Sequence, residues 1–284
     1  MAAAGHSPGP CACLFDRLGP GPLVIAHRGD RARRPENTLC AFRACLGRSP
    51  MIEVDVQLCA DGVPVVIHDH HLRRTSDAAR LRPVVGAPSL LVRDWSLSQL
   101  RRLDLGSWFL AADPFGAIRD GRTDRLVLQT LMPQRILTLE ELLAWAVRRR
   151  MALNIELKDQ HSRSANERLA GAAVQLVRAA GAGPQVVFSS FAHDTLRRCR
   201  SLAAEIPVAA LEDKAHRPDL VDYLRALGAC AYHPADALVD EALVRRLRAE
   251  GVPVNVFTVN DPGRQRELFA WGVRGVFTDW IDPV

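Results

Sequence analysis

Short apolar runs alternate with longer stretches of helical periodicity along most of the chain, and this alternation restricts the possible folds more than any other feature. Several helical stretches end at a glycine, the residue that commonly follows the last turn of a helix. The nine apolar runs are Leu23–Ala26, Met51–Leu58, Val63–His68, Ala152–Leu157, Gln185–Ser190, Pro207–Leu211, Ala229–Tyr232, Pro253–Val259 and Gly275–Thr278. Repeated alternation of strands and helices predicts an α/β fold with a parallel sheet.

The run Val63–His68 is one strand too many for an eight-stranded barrel. It follows Met51–Leu58 after Asp61-Gly62, a pair that is typical of a two-residue hairpin turn. We therefore expect these two runs to pair antiparallel as a β-hairpin. The other eight runs predict a TIM (β/α)8 barrel, a fold of about 250 residues. The chain of 284 residues is long enough for it.

The domain organisation follows from the places where this alternation is absent. Residues 1–21 are rich in Pro and Gly and lack the basic and apolar segments of a signal peptide, so we interpret them as a flexible N-terminal lead-in. Residues 22–284 form the predicted barrel domain. The segment from about 70 to 135 interrupts it with turn-forming residues. Its length predicts a small inserted subdomain, which we place over the C-terminal mouth of the barrel.

Composition narrows the possible partners and compartment. The sequence has no run of about 18 apolar residues, so we expect no integral membrane segment. The net charge is +5, and arginines supply almost all of the positive charge. Because these arginines are spread over many segments, we expect no nucleic-acid partner. The seven cysteines are odd in number and form no Cys-x-x-Cys motif, which favours a reducing compartment such as the cytoplasm.

Polar residues occur where the predicted strands end, which is the edge that carries the active site in a TIM barrel. Glu53 and Asp55 share one face of the second run because side chains alternate along a strand. A two-residue turn at Asp61-Gly62 places His68 directly opposite Asp55, with Cβ atoms roughly 4.5–5.5 Å apart. The hairpin therefore predicts two carboxylates and an imidazole close together.

A third carboxylate follows from the same periodicity. Glu156 and Lys158 share a face at the end of the next barrel strand, and Glu156 joins Glu53 and Asp55 if that face is the barrel interior. Carboxylates that face one point repel each other unless a cation lies between them. Ligation by oxygen alone suits a hard divalent cation, Mg²⁺ or Ca²⁺. The sequence thus predicts a metal site at Glu53, Asp55 and Glu156.

Two histidines and two cations complete the candidate site. His27 and His68 are a suitable acid/base pair near neutral pH. Arg28 and Lys158 can neutralise phosphate oxygens. Each element also has a simpler interpretation by itself: Glu-x-Asp fits a solvated strand face, His68-Asp69 a loop cap and Glu156-Leu157-Lys158 a surface ion pair. Their combination at strand ends favours a catalytic site.

In these motifs the chain resembles the glycerophosphodiester phosphodiesterase family, from about Leu23 to Asp279 and in order. The motifs are Ala26-His27-Arg28-Gly29, Pro35-Glu36-Asn37-Thr38, Ile52-Glu53-Val54-Asp55-Val56, Asp61-Gly62, Val65–Asp69, Gly106-Ser107-Trp108-Phe109, Ile155–Lys158, Ser189-Ser190-Phe191, Thr258-Val259-Asn260 and Gly275-Val276-Phe277-Thr278-Asp279. The sequence departs from the family at Phe257, where Trp is usual, and in a longer segment Ala112–Gln134.

The resemblance implies a TIM barrel and metal-dependent hydrolysis of glycerophosphodiesters to glycerol 3-phosphate and an alcohol. The expected partner is thus a small-molecule substrate. It assigns Glu53, Asp55 and Glu156 as metal ligands. It makes His27 and His68 the acid/base pair, with Arg28 and Lys158 as phosphate contacts. Two alternatives stay open: a lysophospholipase D that acts on lysophospholipids, and a barrel that binds phosphodiesters without catalysis. The headgroup, the metal and the oligomeric state are left open.

Overall fold

Eight parallel strands form a barrel in the computed structural model, which describes residues 14–282 apart from the side chain of Asp16. The strand order is β7-β6-β5-β4-β2-β1-β9-β8, and two isolated parallel bridges, Tyr232–Val254 and Ala235–Phe257, join β7 to β8. The strands are β1 (Leu23–His27), β2 (Met51–Leu58), β3 (Pro64–Val66), β4 (Ala152–Leu157), β5 (Val186–Ser190), β6 (Val208–Glu212), β7 (Ala231–Pro234), β8 (Asn255–Val256) and β9 (Gly275–Thr278). The predicted fold class is confirmed.

Helices α2 and α7–α12 surround the barrel and cover its outer face, whereas α1 and α3–α6 lie elsewhere. The helices are α1 (Leu14–Arg17), α2 (Leu39–Arg43), α3 (Ala78–Val85), α4 (Leu97–Leu100), α5 (Ser107–Ala112), α6 (Arg125–Thr130), α7 (Leu139–Arg149), α8 (Arg163–Ala179), α9 (His193–Leu202), α10 (Leu220–Leu227), α11 (Glu241–Ala249) and α12 (Pro262–Trp271). Every residue of β2 and β4 is buried, because central strands of a parallel barrel have no solvated face. The outer side chains of the strands and the inner faces of the helices form the main core.

The floor of the barrel is closed by α1, which lies within the predicted lead-in. Leu14 and Phe15 are buried there against Ile25, Met51 and Phe277. Residues 1–13 of the lead-in lie outside the described residues, whereas Leu14 and Phe15 are packed against the barrel. They pack because two apolar side chains leave water when they fill the end of the barrel opposite the predicted site. The Pro- and Gly-rich composition of the segment did not indicate this packing.

The β2–β3 hairpin forms as predicted, but its register differs by one residue. Val56 pairs with Val66, and the amide of Ile67, not of His68, bonds the carbonyl of Asp55 at 3.0 Å. The turn contains three residues instead of two, because Cys59 and Val63 close it and Gly62 has a φ of 73°. A type I turn followed by a left-handed glycine is the usual three-residue hairpin loop. The predicted direct pairing of His68 with Asp55 was therefore wrong.

The insertion at about 70–135 has a small core of its own, built around Leu72, Trp95 and Leu103 and shared with Val65 and Ile67 of the hairpin. It contains α3, α4, α5 and α6. Three sets of contacts join it to loops at the carboxyl ends of strands: Arg74 with Glu36, Thr123 with Arg34, and both Phe115 and Arg122 with Trp280. These contacts place the insertion at the C-terminal edge of the barrel.

No helix within residues 14–282 is both long enough and apolar enough to cross a membrane. In the same part of the chain, Cys40, Cys45, Cys59 and Cys199 are buried and form no disulfides. Cys11 and Cys13 lie outside the described residues.

Candidate active site

Three carboxylates meet inside the barrel because of strand register. Asp55 of β2 lies beside Glu156 of β4, and Glu53 is two residues before Asp55 on the same face. One oxygen from each of the three side chains lies within 4.8 Å of the others. All three residues are buried. The cluster predicted from the sequence is therefore present.

The electrostatics of this cluster fit a cation. Burial, together with the charges of Asp55 and Glu156, holds the pKa of Glu53 well above its ordinary value. Two buried oxygens, Glu53 Oε1 and Asp55 Oδ1, have no hydrogen-bond donor among the described residues. Buried acceptors without donors are costly, and a hard cation with oxygen ligands satisfies them. The three residues present thus suit Mg²⁺ or Ca²⁺ by their donor atoms.

His27 is held by a carboxylate that the sequence analysis did not single out. Because β1 pairs with both β2 and β9, His27 lies beside Glu53 on one side and beside Asp279 on the other. Its Nδ1 is 2.7 Å from Asp279 Oδ1. Burial and the charge of Arg28 lower the pKa of His27, although the bond to Asp279 opposes them. The ring therefore stays neutral near pH 7, with its proton on Nδ1 and a free lone pair on Nε2.

His68 is held in the same way by its neighbour in sequence. Its Nδ1 is 2.6 Å from Asp69 Oδ1, and its Nε2 is 4.0 Å from Asp55 Oδ1. Burial raises the pKa of Asp69, but the bonds from His68 and Arg74 outweigh it and hold that pKa below its usual range. Asp69 is thus ionised and can only accept the Nδ1 proton. His68 reaches the cluster although the register is shifted, because β3 ends at Val66 and the ladder no longer sets the direction of its side chain.

The loop after β1 turns sharply to bring a second set of groups to the carboxylates. Arg28 has a φ of 57°, and Gly29 has a φ of 87°. A Cβ at Gly29 would lie 2.8 Å from the Cβ of Ala41, so only glycine fits. The turn points the amide of Arg28 at Glu53 Oε2, 3.0 Å away. The motif is therefore required by backbone geometry as well as by chemistry.

The guanidinium of Arg28 contacts two carboxylates. Its Nη1 is 2.9 Å from Glu36 Oε1, and its Nε is 3.2 Å from Asp55 Oδ2. Burial alone raises the pKa of Glu36, but hydrogen bonds from Arg74 and the charges of Arg28 and Arg31 hold it at about 2. Glu36 is thus a fixed negative charge shared by three arginines. Arg28 lines the cavity described below and can also face a phosphate.

Two further residues hold the cluster in place. Asn37 donates from Nδ2 to Asp55 Oδ2 at 2.8 Å, and its own φ is 55°. Lys158 lies 2.7 Å from Glu156 Oε1 and 3.6 Å from Asp55 Oδ1. Burial lowers the pKa of Lys158, but the charges of Asp55 and Glu156 outweigh it and raise that pKa above its ordinary value. Lys158 is therefore a permanent positive charge at the cluster.

The cluster opens into a cavity of about 440 Å³ with two different walls. One wall carries the charged groups His27, Arg28, Glu53, His68, Glu156 and Lys158. A second group of lining residues, called the apolar wall below, lies in or directly after β5, β6 and β8 and comprises Phe191, Leu211, Asp213, Phe257 and Thr258. Phe191 and Phe257 contact edge to face, with ring centroids 5.8 Å apart. Among the described residues, those that line this cavity come from outside segment 70–135, so the insertion borders the mouth without forming the cavity wall.

The structure brings all seven predicted residues together, and it adds residues that the sequence analysis assigned no role. These are Asp279, Asp69, Glu36 and Asn37, which hold the predicted groups through side-chain bonds. Glu36 and Asn37 belong to the Pro35–Thr38 motif, and Asp279 ends the last motif, so a signal was present. Their roles depend on contacts between distant segments, which spacing in the sequence does not give.

Known proteins are similar to this chain over most of its length. Residues 27–283 match the model of the glycerophosphoryl diester phosphodiesterase family. A glycerophosphodiester phosphodiesterase of Bacillus altitudinis is 31% identical over 264 residues, which are 91% of this chain and 95% of that protein. One from Bacillus subtilis strain 168 is 27% identical over 274 residues, 92% of this chain and 84% of that protein.

A solved structure is similar over nearly the whole chain. It is a phosphodiesterase of Oleispira antarctica in complex with the product sn-glycerol-3-phosphate, with a TM-score of 0.76 and 27% identity over 94% of this chain and 95% of that one. Because the family model covers most of the sequence, this chain belongs to the glycerophosphoryl diester phosphodiesterase family.

Proposed function

We propose that this protein hydrolyses glycerophosphodiesters to glycerol 3-phosphate and an alcohol, with a divalent cation at Glu53, Asp55 and Glu156. The observation that carries the proposal is the cavity in which His27 and His68 accompany these carboxylates. Each histidine has its Nδ1 bound to a separate aspartate. A barrel that only binds phosphodiesters has no need of two oriented imidazoles beside a cation site. We also infer a reducing compartment such as the cytoplasm, from the buried thiols.

The substrate phosphate binds beside the carboxylates, where Arg28 and Lys158 line the cavity. When bound, Mg²⁺ or Ca²⁺ would neutralise phosphate oxygens and lower the pKa of a substrate hydroxyl. The side chains of Arg28 and Lys158 contact Asp55, so the carboxylates hold these two positively charged side chains in place before substrate arrives. Prepositioned charges of this kind stabilise the charge that develops during the transfer.

His27 acts as the base and His68 as the acid. The neutral His27, with its proton on Nδ1, accepts the proton of the glycerol hydroxyl next to the phosphorus. That oxygen attacks phosphorus, the bond from phosphorus to the alcohol breaks, and His68 gives a proton to the leaving oxygen. The product is a cyclic phosphate, which water opens while the two histidines exchange roles. The tethered hydroxyl is favoured over water because it avoids the entropic cost of bringing in a second molecule.

The first test is a panel of glycerophosphodiesters and lysophospholipids assayed with Mg²⁺, Ca²⁺ and Mn²⁺. We expect turnover of the glycerophosphodiesters, its loss in chelator and its return when a divalent cation is added. The variant Glu53→Gln should bind the cation more weakly and keep the fold, as seen in its far-UV circular dichroism. Full activity in chelator contradicts the metal assignment. Faster turnover of lysophospholipids would favour the lysophospholipase D alternative instead.

The route is tested with a glycerophosphodiester whose neighbouring hydroxyl is methylated. Attack by the internal hydroxyl predicts that this compound binds as a competitive inhibitor but is not cleaved. The variants His27→Ala and His68→Ala should lose about 10²- to 10⁴-fold in kcat on the normal substrate, which is the usual contribution of an acid or base. Cleavage of the methylated compound at a normal rate would show that water attacks directly.

A further inference from the structure

Gln57 carries a buried side-chain amide next to the site, and the proposed mechanism gives this residue no role. It follows Glu53 and Asp55 on the same face of β2, and its side chain is 2% exposed. Its Nε2 lies 3.0 Å from the carbonyl of Ile67, 3.3 Å from that of His68 and 3.0 Å from that of Asp69. The two hydrogens of this nitrogen thus face three consecutive carbonyls of the segment that carries His68, so that one hydrogen is shared between two of them.

The orientation of this amide is fixed at its other end. Gln57 Oε1 lies 3.0 Å from His70 Nδ1, which must carry a hydrogen to donate to it. A rotated amide would point its oxygen at three carbonyl oxygens and its nitrogen at a donor. Two groups therefore select one orientation, and the segment 67–70 is bound at four points by a single side chain. A buried amide with all its bonds satisfied restricts its surroundings strongly.

The segment depends on this amide because the strand has already ended. β3 stops at Val66, and the last ladder bond runs from the amide of Ile67 to Asp55. Within residues 14–282, no backbone amide donates to the carbonyls of His68 and Asp69. The three-residue turn had shifted His68 out of the position opposite Asp55, so pairing alone does not aim its ring. Gln57 supplies the bonds that replace the ladder.

We propose that Gln57 is a positioning residue that acts through His68 on the departure of the alcohol. It holds the backbone of His68 and Asp69 so that Nδ1 meets Asp69 while Nε2 faces the cavity. This inference rests on the proposed role of His68 as the acid. It predicts a specific defect, because only alcohols that need a proton to leave depend on the acid. Cation binding and attack of the hydroxyl do not depend on it.

The test compares two glycerophosphodiesters in the holoenzyme. One has an alkyl alcohol as leaving group, and the other has p-nitrophenol, which leaves as a stable anion. The variant Gln57→Met keeps the length of the side chain and removes its donors. We expect the rate of alcohol release in a single turnover, which reports the first step alone, to fall by about tenfold or more on the alkyl substrate and by about twofold or less on the nitrophenyl substrate, a fraction of the full contribution of an acid. KM and the metal concentration for half-activity should stay unchanged.

The controls separate this inference from the proposed function. His68→Ala should show the same dependence on the leaving group, only larger; if it slows both substrates equally, the role of His68 is wrong. If His68→Ala behaves as expected and Gln57→Met slows both substrates equally, the inference on Gln57 is overturned. Gln265→Leu is a matched control, because it also removes a buried amide that bonds a backbone carbonyl, that of Val259. Should Gln57→Met fail to fold, Gln57→Leu also removes the donors without burying a charge and is measured in the same way.

Discussion

At the scale of single residues, the site consists of groups that each depend on a partner from another segment. His27 depends on Asp279, His68 on Asp69, and Arg28 on Glu36. In each case an ionised carboxylate accepts a hydrogen bond from a nitrogen of its partner and so fixes the orientation of the ring or guanidinium. Substitutions of these partners should change how the site works while the barrel stays folded.

The variant Asp279→Asn tests the partner of His27. The bond to Asp279 raises the pKa of His27 against the larger effect of burial, so removal of the charge should lower that pKa further. A base must be unprotonated, and activity is lost as the pH falls through its pKa. We therefore expect the acidic limb of kcat/KM to move to lower pH, with kcat about tenfold or more below wild type. A limb that moves to higher pH would contradict the assignment.

Arg74 offers a second test at this scale, because it connects Asp69, the partner of His68, with Glu36, the partner of Arg28. It bonds Asp69 and contacts both oxygens of Glu36 at 2.7 Å. Arg74→Ala should reduce kcat about severalfold and leave metal binding unchanged, while Arg74→Lys should recover only part of the loss because an ammonium lacks the planar fork. Arg80→Ala is the matched control, since Arg80 pairs with Asp77 at the surface. Equal activity of Arg74→Ala and Arg80→Ala would show that the connection has no role.

At the scale of elements, the strands fix which side chains meet and the terminal elements close the barrel. β1 lies between β2 and β9, so a histidine from the start of the chain meets an aspartate from its end. More than ninety residues separate β2 from β4 in the chain, since the insertion and α7 lie between them. The two strands are nevertheless neighbours in the barrel. Helix α1 seals the opposite end.

Phe15→Ala tests the contribution of α1. The ring is fully buried in the floor cluster and contacts the ring of His233 at 5.7 Å. Its loss leaves a cavity, so we expect the free energy of unfolding to fall by about 3 kcal/mol or more in urea titrations. The cavity that carries the site lies at the other end of the barrel, and kcat and KM should stay near wild type. An unchanged stability would mean that α1 is not packed in solution.

His233 of β7 predicts a pH dependence of stability. Complete burial lowers the pKa of His233 from 6.5 to about 3. The unfolded chain therefore binds a proton at this residue between these values, and the folded chain does not. Stability should fall as the pH is lowered from 6.5 towards 3, by at most about 1.4 kcal/mol per pH unit from this residue. In His233→Gln the decrease should be shallower, measured by urea unfolding at several pH values; equal slopes would contradict it.

At the scale of the whole molecule, the cavity divides into a charged wall and a largely apolar one. The groups that we propose as phosphate contacts, Arg28 and Lys158, occupy the charged wall, so we expect the headgroup to lie against Phe191 and Phe257. Aromatic faces and a carboxylate attract cations, and Asp213 is the charged residue among those that line the apolar wall. Headgroup preference should therefore depend on this wall rather than on the insertion.

Asp213→Asn tests this division. We expect kcat/KM for a glycerophosphodiester with a quaternary ammonium headgroup to fall about fivefold, the loss of about 1 kcal/mol of attraction. The value for a neutral headgroup such as glycerol should stay the same. Asp219→Asn is a suitable control, because Asp219 lies on the same connection and pairs with Arg217 at the surface. A uniform change across headgroups would show that Asp213 does not contact them.

The sequence alone determined the fold, the seven candidate residues and the existence of the hairpin and the insertion. Strand–helix alternation identifies a parallel barrel because it reflects burial on both faces of the sheet, a local property of each run. Period-two spacing gives Glu53 and Asp55 one face for the same reason. The register of the hairpin was predicted one residue out, because a two-residue and a three-residue turn are both compatible with Ala60-Asp61-Gly62.

Only the tertiary structure decided the partners of these residues. Asp279 meets His27 because the first and last strands are neighbours in a closed barrel, and a linear sequence carries no measure of that closure. Gln57 bonds three carbonyls because the chain leaves the ladder after Val66, a consequence of the turn that sequence spacing left ambiguous. Leu14 and Phe15 pack because the barrel has an open floor to fill, which exists only once the strands have assembled.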